Sequence, residues 1–296
     1  VNILILGKGY IGNYLAKHLS LDRSNNVFHF SKQVFDYTNP TQLKNYLKNT
    51  EGEIDWIINT SGFTGTPNVD GCEDYKDECY FYNVTAPLYM TKVCNELNIP
   101  IIHIGSGCVY SGYDKIYTED DPTNFGADSF NSSTYSKTKD TFEKLSRDMK
   151  RVIFRIRIPF NSIYEPKNYL YKIYNYNNLI SKQNSVTCVD DLLVFIEKFL
   201  VRYCDPSYRD QFYGVYNVVN KGSVDGSEVV DLLKKYGITN HNWKFVTTEE
   251  ASFRVERSNC ILSTEKLEKL NLGLPSIKDS LESAIGKFSI NMKGQN

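Results

Sequence analysis

The sequence predicts an α/β protein built on a doubly wound parallel sheet. Three observations predict it: short apolar runs alternate with amphipathic stretches through the first half, a glycine-rich turn directly follows the first run, and unusual polar residues cluster where the runs end. The runs VNILILG, NVFHFS, DWIINTSG, IPIIHIGSG and VIFRIRIP have the length and β-branched content of buried strands. Between them YIGNYLAKHL, PTQLKNYLKN, APLYMTKVCNEL and STYSKTKDTFEKLSRDM carry helical spacing. Strands separated by helices pair in parallel through right-handed crossovers, and ligands of such sheets sit outside the carboxyl ends of the strands.

Beyond about residue 160 the alternation loosens. The Tyr- and Asn-rich stretch NSIYEPKNYLYKIYNYNN leads into SVTCVDDLLVFIEKFL, a strand edge and then a helix. GVYNVVN, residues 214–220, reads as one more strand returning to the first sheet, while GSEVVDLLKKYG and LPSIKDSLESAIGKF are amphipathic helices. The expected organisation is therefore a Rossmann domain over residues 1–160, joined by strand 214–220, and a smaller, interleaved, mixed α/β substrate lobe over 161–296. A chain of 296 residues suits two lobes, because single cores stop growing at roughly 250–300 residues.

Composition excludes several partner classes. The net charge is −1, with 23% charged residues, so no basic field draws the chain to nucleic acid or to an anionic membrane surface. No apolar run approaches the ~20 residues needed to cross a bilayer, and the sequence opens on a strand instead of a signal segment, so a cytoplasmic location is expected. The seven cysteines include no CxxC pair and only four histidines accompany them, so neither a disulfide framework nor a metal site is expected.

Residues 7–12, GKGYIG, fit GxGxxG between the first strand and the first helix. Gly7, Gly9 and Gly12 permit a tight turn and close approach of a pyrophosphate to the helix N-terminus, with Tyr10 and Ile11 opening that helix. The second strand ends FHFSKQ, where Ser31 and Lys32 can donate to a 2′-phosphate and no carboxylate stands to repel it. NADPH is the expected cofactor, with NADH as the alternative.

The stretch YSKTK places Tyr135 and Lys139 four apart, on one face of a helix. A phenol has an ordinary pKa near 10, and a nearby ammonium favours its ionised form, bringing it toward acid–base duty. About thirty residues upstream, IIHIGSGCVY ends a strand in Ser106 and Cys108. If the strand stays extended there, both side chains face the same side.

The glycine fingerprint, the strand-end serine and YxxxK, in this order, resemble the extended short-chain dehydrogenase/reductase family, in which the matching Ser106, Tyr135 and Lys139 are catalytic. The segments TGTPNVDGCE (64–73), SGCVY (106–110), YSKTK (135–139), RIRIP (155–159) and RSNCILSTEKL (257–267) resemble, more narrowly, the plant-type bifunctional UDP-4-keto-6-deoxyglucose 3,5-epimerase/4-reductases. The chain departs from them in having one residue fewer between its first two glycines and Ser106 where threonine is common. The resemblance implies that Cys108 and Lys172 carry the epimerisation, one removing a proton beside the ketone and the other returning one. It also implies a nucleotide-sugar substrate near Thr64, Asn68, Asp70 and Ser106, with Arg257 and Asn259 on its nucleotide or diphosphate. Asn59 and Pro159 then lie along the cofactor, and a homodimer is expected. Two alternatives stand beside this one: a reductase without epimerase activity, of the dTDP-rhamnose type, and a cofactor-binding regulatory subunit without chemistry.

Overall fold

The computed structural model describes residues 1–293 apart from 51–53, 67, 205–207, 209, 210, 241 and 252. Among the quoted motif residues, Pro67 lies outside the described residues. The first half runs β1 (Asn2–Leu6), α1 (Tyr10–Leu19), β2 (Asn26–Phe30), α2 (Pro40–Asn49), β3 (Trp56–Asn59), α3 (Gly71–Asp74), α4 (Lys76–Tyr80), a π-helical turn (Phe81–Thr85), α5 (Ala86–Glu96), β4 (Ile101–Ser106), a 3₁₀ turn (Gly107–Val109), α6 (Thr134–Leu145) and β5 (Val152–Ile156). The second half adds α7 (Tyr169–Asn175), β6 (Asn178–Leu179), α8 (Val189–Tyr203), β7 (Gly214–Asn217), α9 (Gly226–Lys235), β8 (Lys244–Phe245), α10 (Glu265–Lys269) and α11 (Ile277–Lys293).

Six parallel strands form one sheet in the order β2-β1-β3-β4-β5-β7. This is the doubly wound sheet, and the order reverses between β1 and β3, the switch point outside which such sheets bind ligands. Strand alternation builds its two faces. Ile3 and Ile5 of β1 and Trp56 and Ile58 of β3 enter the core shared with α1 and α8, whereas Leu4, Leu6 and Ile57 enter the core shared with α2 and α5. Each fully buried aliphatic or aromatic side chain contributes about 1.5–3 kcal/mol over its exposed state. Both faces are therefore covered, as a parallel sheet requires.

Local signals set the helix starts. Pro40 opens α2, and the Asn39 carboxamide accepts from the amides of Thr41 and Gln42 at 3.0 and 3.1 Å. Asp225 and Glu228 form a reciprocal capping box at the start of α9. The stretch 214–220 supplies β7, which pairs with β5 from Val152↔Gly214 to Arg155↔Asn217. Helix α8 also packs on the large sheet, through Leu192, Phe195, Ile196 and Phe199. A separate core made by α7, α9 and α11 includes Leu170, Ile173, Val229, Leu233, Ile285 and Phe288. Among the described residues no helix is long and apolar enough to cross a membrane.

Candidate active site

At the carboxyl end of β1 the chain turns sharply. Gly7 has φ +110°, and a Cβ there would lie 2.8 Å from the Ser61 amide nitrogen. A Cβ on Gly12 would lie 2.0 Å from the Gly7 carbonyl oxygen, so this glycine lets α1 press against the turn. Gly9, the N-cap of α1, is different: a Cβ there meets nothing within 4 Å, no side chain caps the helix, and its first turn holds no acid. The amides of Tyr10 and Ile11 thus open onto free space at the positive end of a ten-residue helix, a cradle that fits a pyrophosphate. The residues present fit a dinucleotide. At the end of β2, Ser31 and Lys32 stand beside this turn, and the Lys32 ammonium donates to the Tyr82 hydroxyl at 2.5 Å.

Strand β4 does not stay extended through Cys108. It ends at Ser106, whose hydroxyl accepts from the Cys108 amide at 3.2 Å and caps the 3₁₀ turn Gly107–Val109. Cys108 nevertheless reaches the same place by the turn. It is half-exposed, it belongs to none of the apolar cores, and a thiolate there bears electrostatically on both Tyr135 and Lys139. Helix α6 starts at the Ser133 cap and carries Tyr135 and Lys139 on one face, with the ammonium 5.7 Å from the phenol ring centroid.

The expected lowering of the phenol by this lysine does not occur. Burial first, then the negative charge of a Cys108 thiolate, push Tyr135 above its ordinary value, and the hydrogen bond with Ser106 offsets only part of this. The Lys139 ammonium lies over the Tyr135 ring, and burial pushes its own pKa down, against the raising pull of Cys79 and Glu143. Tyr135 is therefore held as a protonated phenol, which suits a proton donor.

A second set of residues fixes this one from behind, and the sequence reading missed it. Asn83 accepts from the Phe63 amide at 2.9 Å and donates to the Phe63 carbonyl, to Cys79 Sγ and to Thr138 Oγ1. It sits in the π-helical turn, and the signal for that turn is Pro87, which has no N–H for the Asn83 carbonyl. Glu143, one helical turn beyond Lys139, holds Arg155 at 2.6 Å, and Arg155 also donates to the Tyr110 hydroxyl at 3.0 Å. Asn59 was expected along the cofactor. Its backbone ends β3, while its side chain points into the protein, accepting from the Ser61 amide and hydroxyl and donating to His103 Nδ1 at 3.1 Å. Because the Thr91 hydroxyl gives its proton to the Pro87 carbonyl, it accepts from His103 Nε2 at 2.9 Å, which fixes the neutral Nε2–H tautomer.

The expected substrate groups engage one another and neighbouring loops. Arg257 Nη1 and Nη2 each donate to the Asp70 carboxylate at 2.7 Å, so these two candidate ligands satisfy each other. Asn68 closes a turn on the Asp70 amide at 2.8 Å, and Thr64 accepts from Lys167 Nζ at 3.3 Å. Asn259 donates to the Arg257 carbonyl and accepts from Asn184 at 2.9 Å, committing its amide to the loop. Pro159 follows β5, and its carbonyl accepts from the Tyr169 amide at 3.1 Å, tying β5 to the start of α7. Lys172 lies half-buried on α7, pushed down by burial and then by the Lys167 charge. Among the described residues no hydrogen bond or ion pair links it to Cys108.

A glycine turn at the switch point of a parallel sheet, with serine, tyrosine and lysine converging beside it, defines a short-chain dehydrogenase/reductase-like protein of Rossmann fold. The family is shown by comparison: the model of the RmlD substrate binding domain matches residues 1–290, and the chain belongs to that family. It is 31% identical over 290 residues to a trifunctional UDP-glucose 4,6-dehydratase/UDP-4-keto-6-deoxy-D-glucose 3,5-epimerase/UDP-4-keto-L-rhamnose-reductase of Arabidopsis thaliana, covering 95% of this chain and 41% of that protein. The chain thus spans less than half the length of that relative. It is 32% identical over 237 residues to a bifunctional dTDP-4-dehydrorhamnose 3,5-epimerase/dTDP-4-dehydrorhamnose reductase of the same plant, covering 76% of this chain and 74% of that one. Among solved structures, the UDP-rhamnose synthase of Acanthamoeba polyphaga mimivirus superposes with TM-score 0.84 at 25% identity, over 97% of this chain and 99% of that one. The dTDP-4-dehydrorhamnose reductase of Bacillus anthracis, solved with NADP, has the same fold, at TM-score 0.79 and 23% identity over 96% of this chain and 98% of that one.

Proposed function

We propose that this protein reduces the 4-keto group of a nucleotide-linked 4-keto-6-deoxyhexose with NADPH, after inverting C3 and C5 of the same sugar, and so forms UDP-L-rhamnose from UDP-4-keto-6-deoxyglucose. The observation that carries this reading is the convergence of Ser106, Cys108, Tyr135 and Lys139 beside the uncapped start of α1. The names of the relatives support the substrate class, and Ser31 and Lys32 at the end of β2 support the phosphorylated cofactor. NADPH, when bound, supplies the reducing equivalent of a ketone reduction.

The chain's own residues do the rest. The Ser106 hydroxyl accepts from the Cys108 amide and is left with its proton to donate, so it and the Tyr135 phenol can both hold the C4 oxygen. During each inversion, negative charge accumulates on that oxygen as a proton leaves C3 or C5, and these two donors stabilise it. Cys108 stands beside them as one proton-transfer group, and Lys172 is the proposed second. At the reduction step Tyr135 delivers its proton to the C4 oxygen, with the Lys139 charge close by. We further propose that the protein works in the cytoplasm as a homodimer.

A reductase-only reading is favoured by one observation, the lack of any interaction between Lys172 and Cys108 among the described residues. Incubation with UDP-4-keto-6-deoxyglucose or its dTDP counterpart, following loss of NADPH absorbance, tests the main reading. Turnover of the UDP sugar without any added epimerase is expected; turnover only of pre-inverted sugar leaves the reductase alone, and no turnover of either contradicts both. Replacement of Cys108 or Lys172 by alanine is expected to abolish turnover of the uninverted sugar and to spare the inverted one.

A further inference from the structure

Beneath the 3₁₀ turn that holds Ser106 and Cys108 lies a cation that the proposed chemistry does not use. Arg157, just beyond β5, is 1% exposed, and no carboxylate pairs with it among the described residues. Burial of an unpaired charge is costly, so its hydrogen bonds carry the compensation. Nη1 donates to the Gly107 carbonyl at 3.0 Å and to Ser258 Oγ at 2.8 Å, and Nη2 donates to Asn184 Oδ1 at 2.5 Å and to the Ser258 carbonyl at 3.1 Å. Nε has no partner. A Cβ on Gly107 would lie 2.9 Å from Arg157 Cγ, so the stem of the side chain presses directly on the turn.

We propose that Arg157 is a positioning residue for the Ser106–Cys108 turn. Its guanidinium, anchored by neutral acceptors alone, polarises the Gly107–Cys108 peptide and holds Ser106 and Cys108 in register with Tyr135. The carbonyl of that peptide accepts from Arg157, and its N–H donates to Ser106 Oγ at 3.2 Å. Charge on the carbonyl side strengthens the amide as a donor, and the serine hydroxyl that receives this bond becomes in turn a better donor of its own proton. A carboxylate beside Arg157 would cancel this polarisation, which gives the neutral acceptor set its chemical meaning.

This inference deepens the proposed function and rests on it for the roles of Ser106 and Cys108. Its test uses two readouts on the full chain in a Cys204→Ser background, because Cys204 is the one exposed cysteine besides the half-exposed Cys108. The first is kcat and KM for ketosugar reduction, normalised to the folded fraction. The second is the rate of Cys108 alkylation by iodoacetamide, which needs no substrate. Arg157→Met is expected to lower kcat by about tenfold with KM within about twofold, and to speed alkylation about threefold as the released turn exposes the sulfur. Arg157→Lys, which keeps the charge but not the fork, is expected to restore part of both. Should Arg157→Met not fold, Arg157→Lys and Ser258→Ala, each removing only part of the hydrogen-bond set, carry the same test. Unchanged kcat and unchanged alkylation in folded variants overturn the proposal, since a merely structural arginine would move only the thermal midpoint. If the wild-type chain turns over no ketosugar, the functional reading falls, and the alkylation comparison still decides the role of Arg157.

Discussion

Tyr135 and Cys108 share one neighbourhood, and their roles separate at the level of single atoms. The phenol is pushed up by its burial and by the adjacent sulfur, so it stays protonated across neutral pH and can release its proton only as charge develops on an oxygen bound to it. Tyr135→Phe removes that proton and is expected to lower kcat for ketone reduction by about 10²–10⁴-fold while leaving the thermal midpoint within a few degrees, as measured by steady-state kinetics and calorimetry. The motif YSKTK made the residue pair visible in the sequence, because helical spacing alone brings Tyr135 and Lys139 together. It could not show that the phenol is pushed up instead of down, since that depends on burial by elements far along the chain. Asp70 and Arg257 were likewise visible as candidates, but their pairing joins residues 187 positions apart.

At the level of elements, the glycine turn and the helices behind it set the geometry. Gly12→Ala would push a methyl group to 2.0 Å from the Gly7 carbonyl, forcing α1 away from the β1 turn. This change is expected to cost about 1–3 kcal/mol of stability and to weaken NADPH binding, measured by denaturant titration and by nicotinamide fluorescence. Glu143 on α6 holds Arg155 of β5 in a buried pair, the two side chains being 7% and 4% exposed. Glu143→Gln would strand the guanidinium and is expected to destabilise the fold by about 3–5 kcal/mol, read from the shift in denaturation midpoint. Helix α2 coincides with the stretch PTQLKNYLKN because Asn39 and Pro40 specify its start locally. The 3₁₀ turn after Ser106 was hidden for the opposite reason: Leu262 and Arg157, distant in sequence, pack against Gly107 and turn the strand aside.

For the molecule as a whole, alternation of apolar runs and amphipathic stretches was enough to specify the doubly wound sheet, since each strand of β1 to β5 lies in such a run and the inner strands β1, β3, β4 and β5 are largely buried, while the edge strand β2 is only partly so. The second half was harder to read, because β6 and β8 are two residues each and α8 packs on the first sheet despite its place in the chain. Global stability carries its own test through His103. Burial, with the charges of Lys139 and Arg151 adding to it, pushes this imidazole down to about 3, while in the unfolded chain it titrates near its ordinary 6.5. Between those values the unfolded state binds the extra proton, so stability is complete above pH 6.5 and falls by about 1.4 kcal/mol per unit as the pH drops toward 3. His103→Gln is expected to flatten this part of the pH–stability curve, measured by denaturant titration between pH 7 and 4. An unchanged slope would mean that His103 is charged in the folded protein.

The central claim is that one set of residues at the carboxyl edge of the sheet both moves protons beside a ketone and protonates its oxygen. It is tested most directly by incubating the protein with UDP-4-keto-6-deoxyglucose and NADPH in D₂O and locating deuterium in the product by NMR. The account predicts solvent deuterium at C3 and C5 of the reduced sugar, and no reduced product from this sugar in the Cys108→Ala variant. Reduction at C4 with protium retained at both carbons would contradict it.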